Sequence, residues 1–106
     1  MWKISEIAKT FGLSLDKVRD IVKKYFPAFN GQGKTRYFNK VEIYILLLYY
    51  YLLEAGLTSK DMPSYNDDLR DAVKREVIFA VHTVKFVNVQ VNMIGLRTLV
   101  DARLCS

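Results

Sequence analysis

Residues 4–25 read ISEIAKTFGLSLDKVRDIVKKY, and their spacing decides the fold at this end of the chain. Ile4, Ile7, Ala8 and Phe11 fall at i, i+3, i+4 and i+7, one apolar helical stripe. Ser5 is placed to cap this helix, with Ile4 just outside it. Gly12 ends it, because glycine readily takes the left-handed conformation a helix C-terminus needs. Ser14 offers its hydroxyl as the next N-cap. Val18, Ile21, Val22 and Tyr25 then form the inner face of a second helix, and Asp16, Lys17, Arg19, Asp20, Lys23 and Lys24 its outer faces. Pro27 forces a stop near Tyr25 or Phe26. Two short helices joined by Gly-Leu-Ser make a helix-turn-helix candidate. The same pattern also describes an ordinary helical hairpin with a lysine-rich outside.

Outward from this pair, Ala28 to Phe38 reads as a small hairpin. Asn30-Gly31 is a tight-turn signal, and Thr35 to Phe38 has strand-forming character. Gly31, Gly33 and Lys34 do not make a phosphate loop, since Ala28 stands where a Walker pattern needs its first glycine. Asn39 caps a third helix, Lys40 to Glu54, ended by Gly56. That helix is apolar nearly all round, so it is buried on several sides or shared with a partner. Thr58 and Asp61 suit a brief helical turn. Pro63 to Asp68 reads as a loop and Leu69 to Glu76 as a helix. Val77 to Phe86 stays open between buried helix and strand. Val87, Val89, Val91 and Met93 alternate with Asn88, Gln90 and Asn92, the period of a strand with one wet face. Asn92 is placed to cap a last helix.

The 106 residues fit one compact unit, 51% hydrophobic and 25% charged. The longest apolar run, Ile43 to Leu53, is too short for a membrane span of about 20 residues. No signal peptide is legible, so a soluble, cytoplasmic, nucleoid-associated protein is expected. Cys105 and His82 are the single cysteine and the single histidine. Neither has a partner at ligand or catalytic spacing, and no acidic pair lies in an apolar setting. No enzyme, cofactor or metal site is therefore expected. The net charge of +5 is uneven: residues 1–40 hold nine basic and three acidic side chains, a balance of +6, and the remainder is nearly neutral. Such asymmetry suits a polyanion-binding end on a neutral scaffold, or simply a solvated basic face.

Residues 3–62 resemble the DNA-binding domain of the MerR family and, more broadly, excisionase-like winged helix-turn-helix proteins. The resemblance rests on Ile4-Ser5-Glu6-Ile7-Ala8-Lys9, Gly12-Leu13-Ser14, Val18-Arg19, Arg36-Tyr37-Phe38-Asn39 and Leu53-Glu54-Ala55-Gly56-Leu57-Thr58. The chain departs from the family pattern at Asp20, Ile21 and Thr35, and shows no long dimerisation helix. The resemblance implies that the Leu15–Lys24 helix enters the major groove and that the 30–37 wing reaches the backbone, with the protein acting as a dimer.

The expected fold is α+β and mainly helical. A winged helix-turn-helix domain spans residues 1–62, with a C-terminal strand and helix dimerisation segment over 63–106 packed on it. The expected DNA contacts are Ser14, Lys17, Arg19, Lys23, Lys24, Lys34, Arg36 and Tyr37. Lys17 and Arg19 would donate to guanine edges or phosphates, and Lys34, Arg36 and Tyr37 would clamp neighbouring phosphates. The expected partners are double-stranded DNA and a second copy, with no small-molecule effector. An architectural factor of a phage or mobile element, or a protein-interaction module on the same scaffold, are the alternatives. Residues 77–100 carry more Val, Ile, Phe and Leu than so small a core could cover, which motivates the dimer.

Overall fold

A computed structural model describes residues 1–29, 31, 33–75, 78–84 and 87–104; for 78–84, 87–91 and 93 only the backbone path is described. Asn30, Glu76, Val77, Phe86, Cys105 and the His82 side chain, on which the sequence reading also drew, lie outside the described residues. The chain is mainly helical. In order it forms α1 (Ile4–Phe11), α2 (Leu15–Tyr25), α3 (Lys40–Glu54), a 3-10 turn (Ser59–Asp61), α4 (Asp67–Lys74), β1 (Ile78–Val84), β2 (Val87–Asn92) and α5 (Met93–Leu104).

Helix α3 is the axis of the core. Its residues from Ile43 to Tyr49 are buried without interruption, and Leu52 is buried beyond them. The apolar girth that the sequence shows is covered by the chain's own elements: α2, α4 and α5 all pack on α3. Core residues from both parts of the chain, Ile7 and Val18 near one end and Leu96 and Val100 near the other, join one cluster around it. Asn39 caps α3 by accepting from Glu42 N (2.9 Å), and Glu42 accepts in turn from Asn39 N (3.1 Å). At the far end Leu57 N donates to the Leu52 carbonyl across Gly56. The same closure ends α1, where Leu13 N donates to Ala8 O (2.8 Å) and Gly12 sits at φ 67°. That left-handed conformation turns the chain sharply enough to start α2 three residues later.

Several local expectations are corrected. Ser5 does not cap α1; Lys3 holds the cap position, and Glu6 reaches back to accept from its N–H (3.0 Å). Ser5 already lies inside the first turn, so its hydroxyl is not at the position from which a cap accepts. Helix α4 starts earlier than expected, because Asn66 accepts from Leu69 N (2.9 Å) and sets the first turn at Asp67. The expected 28–38 hairpin is replaced, among the described residues, by a turn closed from Lys34 N to Gly31 O (3.1 Å) and by a bridge to the chain start. Phe38 and Trp2 exchange two backbone hydrogen bonds (2.8 and 3.0 Å), so the N-terminal segment takes the pairing partner's place.

The open stretch 77–86 contains a strand, β1, antiparallel to β2. The register pairs Phe79 with Val91 and Val81 with Val89, and it is irregular between Val81 and Thr83. Strand alternation assigns those four residues to one face of the ribbon and Ala80 and Gln90 to the other. Asn92 then caps α5 by accepting from Gly95 N (3.0 Å). Helix α5 is latched to α3 by Asp101, which accepts from Tyr44 Oη (2.8 Å) and pairs with Lys40 (2.8 Å).

Tyr49 ties α3 to the loop after it. Its hydroxyl donates to Pro63 O (2.8 Å), and its ring stacks on Tyr25 at 5.0 Å. Burial, reinforced by Tyr65 and Tyr25 nearby, raises its proton affinity well above the ordinary tyrosine value. Tyr44 is raised too, chiefly by burial and then by its bond to Asp101. Because the folded values lie above the unfolded ones, this stabilisation is intact below about pH 10 and is lost as pH rises through the folded values. Tyr49→Phe should blunt that alkaline loss in pH-dependent denaturation. At neutral pH it should lower stability by about 1–3 kcal/mol, through the orphaned Pro63 carbonyl.

Candidate nucleic-acid interface

The inner face of α2, Val18, Ile21 and Val22, is buried, which turns Asp16, Lys17, Arg19, Asp20, Lys23 and Lys24 to the outside. Ser14 caps the helix by accepting from Lys17 N at 3.5 Å, a long bond, while its own N–H faces the Tyr50 hydroxyl (3.4 Å). The start of α2 is thereby pinned to α3. Lys17, one of the expected DNA contacts, reinforces this pin. Its ammonium pairs with Glu54 at 2.8 Å, and the carboxylate raises its proton affinity. Lys24 pairs with Asp20, one helical turn back, at 3.1 Å. Both pairs are exposed, and such bridges contribute little.

Arg19 and Lys23 differ from these two. They stand four residues apart on the outer surface of α2, both exposed, and make no ion pair or side-chain hydrogen bond among the described residues. Lys34 is exposed as well. Asp16 and Asp20 lie on the same outer surface, so the exposed face is mixed in sign rather than uniformly basic.

Arg36 is the clearest departure from the sequence reading. Its guanidinium lies over three rings, Phe38 at 4.9 Å, Phe29 at 5.6 Å and Phe26 at 5.7 Å, and it donates to Pro27 O (3.1 Å). A planar, weakly hydrated cation suits such an aromatic cage. Arg36 therefore fastens the 26–38 loop to the end of α2 and is not a free phosphate clamp. No charge or spacing rule signals this, because the three phenylalanines come from different parts of the loop. Tyr37 remains 47% exposed, with Lys3 Nζ at 6.0 Å from its ring centre.

A cleft of about 350 Å³ opens beside the end of α2, lined by Tyr25, Tyr49 and Tyr65 among others, and a smaller one of about 240 Å³ lies between α2 and α3 at Lys17, Tyr50 and Glu54. Among the described residues no cluster of His, Cys, Asp and Glu could hold a metal ion, and no helix is long and apolar enough to cross a membrane. No protein-family model, curated protein or solved structure matches this chain.

Substitutions should separate the two kinds of cation. Arg36→Ala should lower the unfolding free energy by about 1 kcal/mol or more, and Arg36→Lys should restore little, since an ammonium lacks the flat stacking face. Arg19→Ala and Lys23→Ala should each change stability by less than about 0.5 kcal/mol. Chemical denaturation of the four variants checks this.

Proposed function

We propose that the chain is a double-stranded DNA-binding protein of the winged helix-turn-helix kind, similar to MerR-type transcription regulators. The observation that carries the reading is the pair α1 and α2. The left-handed turn at Gly12 and the Ser14 cap bury one face of α2 and leave Arg19 and Lys23 exposed and without a described partner on the other. An exposed helix with donors on its outer face fits the major groove, where Arg and Lys recognise guanine edges. The excess of +6 over residues 1–40 supplies the long-range attraction to phosphates. Asp16 and Asp20, on the same surface, would accept from cytosine amino groups or hold Lys and Arg rotamers, as Asp20 does with Lys24.

In this reading the loop that Arg36 fastens acts as the wing, with Lys34 and Tyr37 as its outward contacts. Lys17 and Lys24 reach phosphates by leaving their weak surface pairs. The register is what supports binding as a dimer through the β1–β2 ribbon. Helix α5 of the same chain contacts both strands, and the side of the ribbon that carries Phe79, Val81, Val89 and Val91 is a candidate for burial against a second copy, since a two-stranded ribbon needs further packing to be stable in water. Two copies related by a two-fold axis would read two half-sites, as short recognition helices generally require.

Selection of bound duplexes from a random pool, followed by a salt titration, tests the proposal. With about six phosphates neutralised per dimer, log affinity should fall against log salt with a slope near −5. Arg19→Ala with Lys23→Ala should weaken binding at least about tenfold. A flat salt dependence and unaltered retention of the double variant would overturn the reading in favour of a protein-interaction role. The dimer has its own check. Val89→Asp with Val91→Asp places two charges where burial of each valine is worth about 1.5 kcal/mol or more, and should yield monomers by light scattering. A wild-type chain that is monomeric at high micromolar concentration would refute this arrangement.

A further inference from the structure

We infer that Glu54 is a brake on DNA binding that acts through Lys17: its carboxylate competes with a backbone phosphate for the Lys17 ammonium and so limits how tightly the duplex is held. The inference rests on the DNA-binding reading above and assigns a residue that tunes that same surface. Lys17 stands in the first turn of α2, just after the Ser14 cap, and Glu54 is the last residue of α3. Their side chains meet at 2.8 Å across 37 positions of sequence, and both line the small cleft between the two helices. They remain open to water, 61% and 48% exposed, so an anion arriving from solvent has access to the same ammonium.

The setting of Glu54 assigns it to Lys17 and not to the stability of its own helix. The last turn of α3 contains no basic residue, and Glu54 closes that turn. A carboxylate there meets the negative end of the helix dipole, the end that favours cations. The acid is thus placed where α3 itself disfavours it, and the exposed pair that it makes adds little to the fold in return. Its described ion-pair partner belongs to the basic surface of α2. Lys24, by contrast, is paired within α2 by Asp20, one turn back, and Arg19 and Lys23 make no ion pair among the described residues. When Lys17 turns to a phosphate, Glu54 is left charged at the edge of a polyanion. It then gathers a cation in place of the one that the phosphate released. The contact therefore adds less to affinity, and less to the salt dependence, than an unpaired lysine at the same position would.

The test uses the full chain, one duplex recovered by selection, and the variants Glu54→Gln, Lys17→Ala and the two combined. Glu54→Gln should tighten binding about fivefold at low salt and steepen the log–log salt slope by about 0.9 for each Lys17 released. In the Lys17→Ala background the same change should do neither, since no ammonium is left to release. Lys17→Ala should accordingly lose more affinity when made in Glu54→Gln than in the wild type. Chemical denaturation should find Glu54→Gln no less stable than the wild type, because the lost pair is exposed and an unfavourable charge leaves the helix end. An equal gain with and without Lys17 would reduce Glu54 to general repulsion and overturn the inference. Unchanged affinity and slope, or a clear loss of stability in Glu54→Gln, would overturn it too, and each of these leaves the DNA reading standing. Absence of binding to any duplex, in the wild type and Glu54→Gln alike, would overturn both.

Discussion

A helix that is apolar on every side has to be enclosed, and the arrangement of this protein follows from enclosing α3. Seven successive buried residues, Ile43 to Tyr49, leave no face of its middle turns for water. Each large side chain removed from water is worth about 1.5–3 kcal/mol, so the driving force is concentrated on one element. Helices α2, α4 and α5 supply the walls. The ends of α3, where the backbone would otherwise lose hydrogen bonds, are closed by the Asn39–Glu42 box and by the turn across Gly56. Tyr44 and Tyr49 show how the few polar groups in this interior are accommodated: each hydroxyl has a definite acceptor, Asp101 for one and the Pro63 carbonyl for the other.

The position of the candidate interface is a consequence of that enclosure. Helix α2 is fixed by Val18, Ile21 and Val22, and the exposed Lys17–Glu54 pair adds little beyond choosing a rotamer. Rigid packing behind a helix and freely solvated donors in front of it are what a binding surface needs. The first limits the entropy lost on docking, and the second leaves charges available to exchange water and counterions for phosphate. The basic residues accordingly divide into two groups. Arg36 is committed to the aromatic cage, whereas Arg19, Lys23 and Lys34 extend from the surface. The proposed DNA contact rests on the second group and draws only its loop geometry from the first.

The sequence by itself determined the local elements whose causes are local. The apolar stripes of α1, α2 and α3, the Gly12 and Gly56 ends, the Ser14, Asn39 and Asn92 caps and the short turn at Thr58–Asp61 all depend on residues within one or two helical turns of each other, so spacing was enough. The period-two stretch likewise coincides with β2, but its neighbour 77–86 reads as neither helix nor strand until antiparallel pairing with β2 selects the extended form. Tertiary structure alone decided three things. It gave Phe38 to Trp2, 36 positions away, where the turn signal favours a hairpin partner. It tied Lys17 to Glu54 through the packing of α2 on α3. It enclosed Arg36 among rings that are brought together only when the 26–38 loop folds over the end of α2. The physical reason is common to all three. Periodicity and capping report what a segment does to its own backbone, whereas the fate of a long charged or aromatic side chain is fixed by which neighbours the packed core brings within a few ångströms.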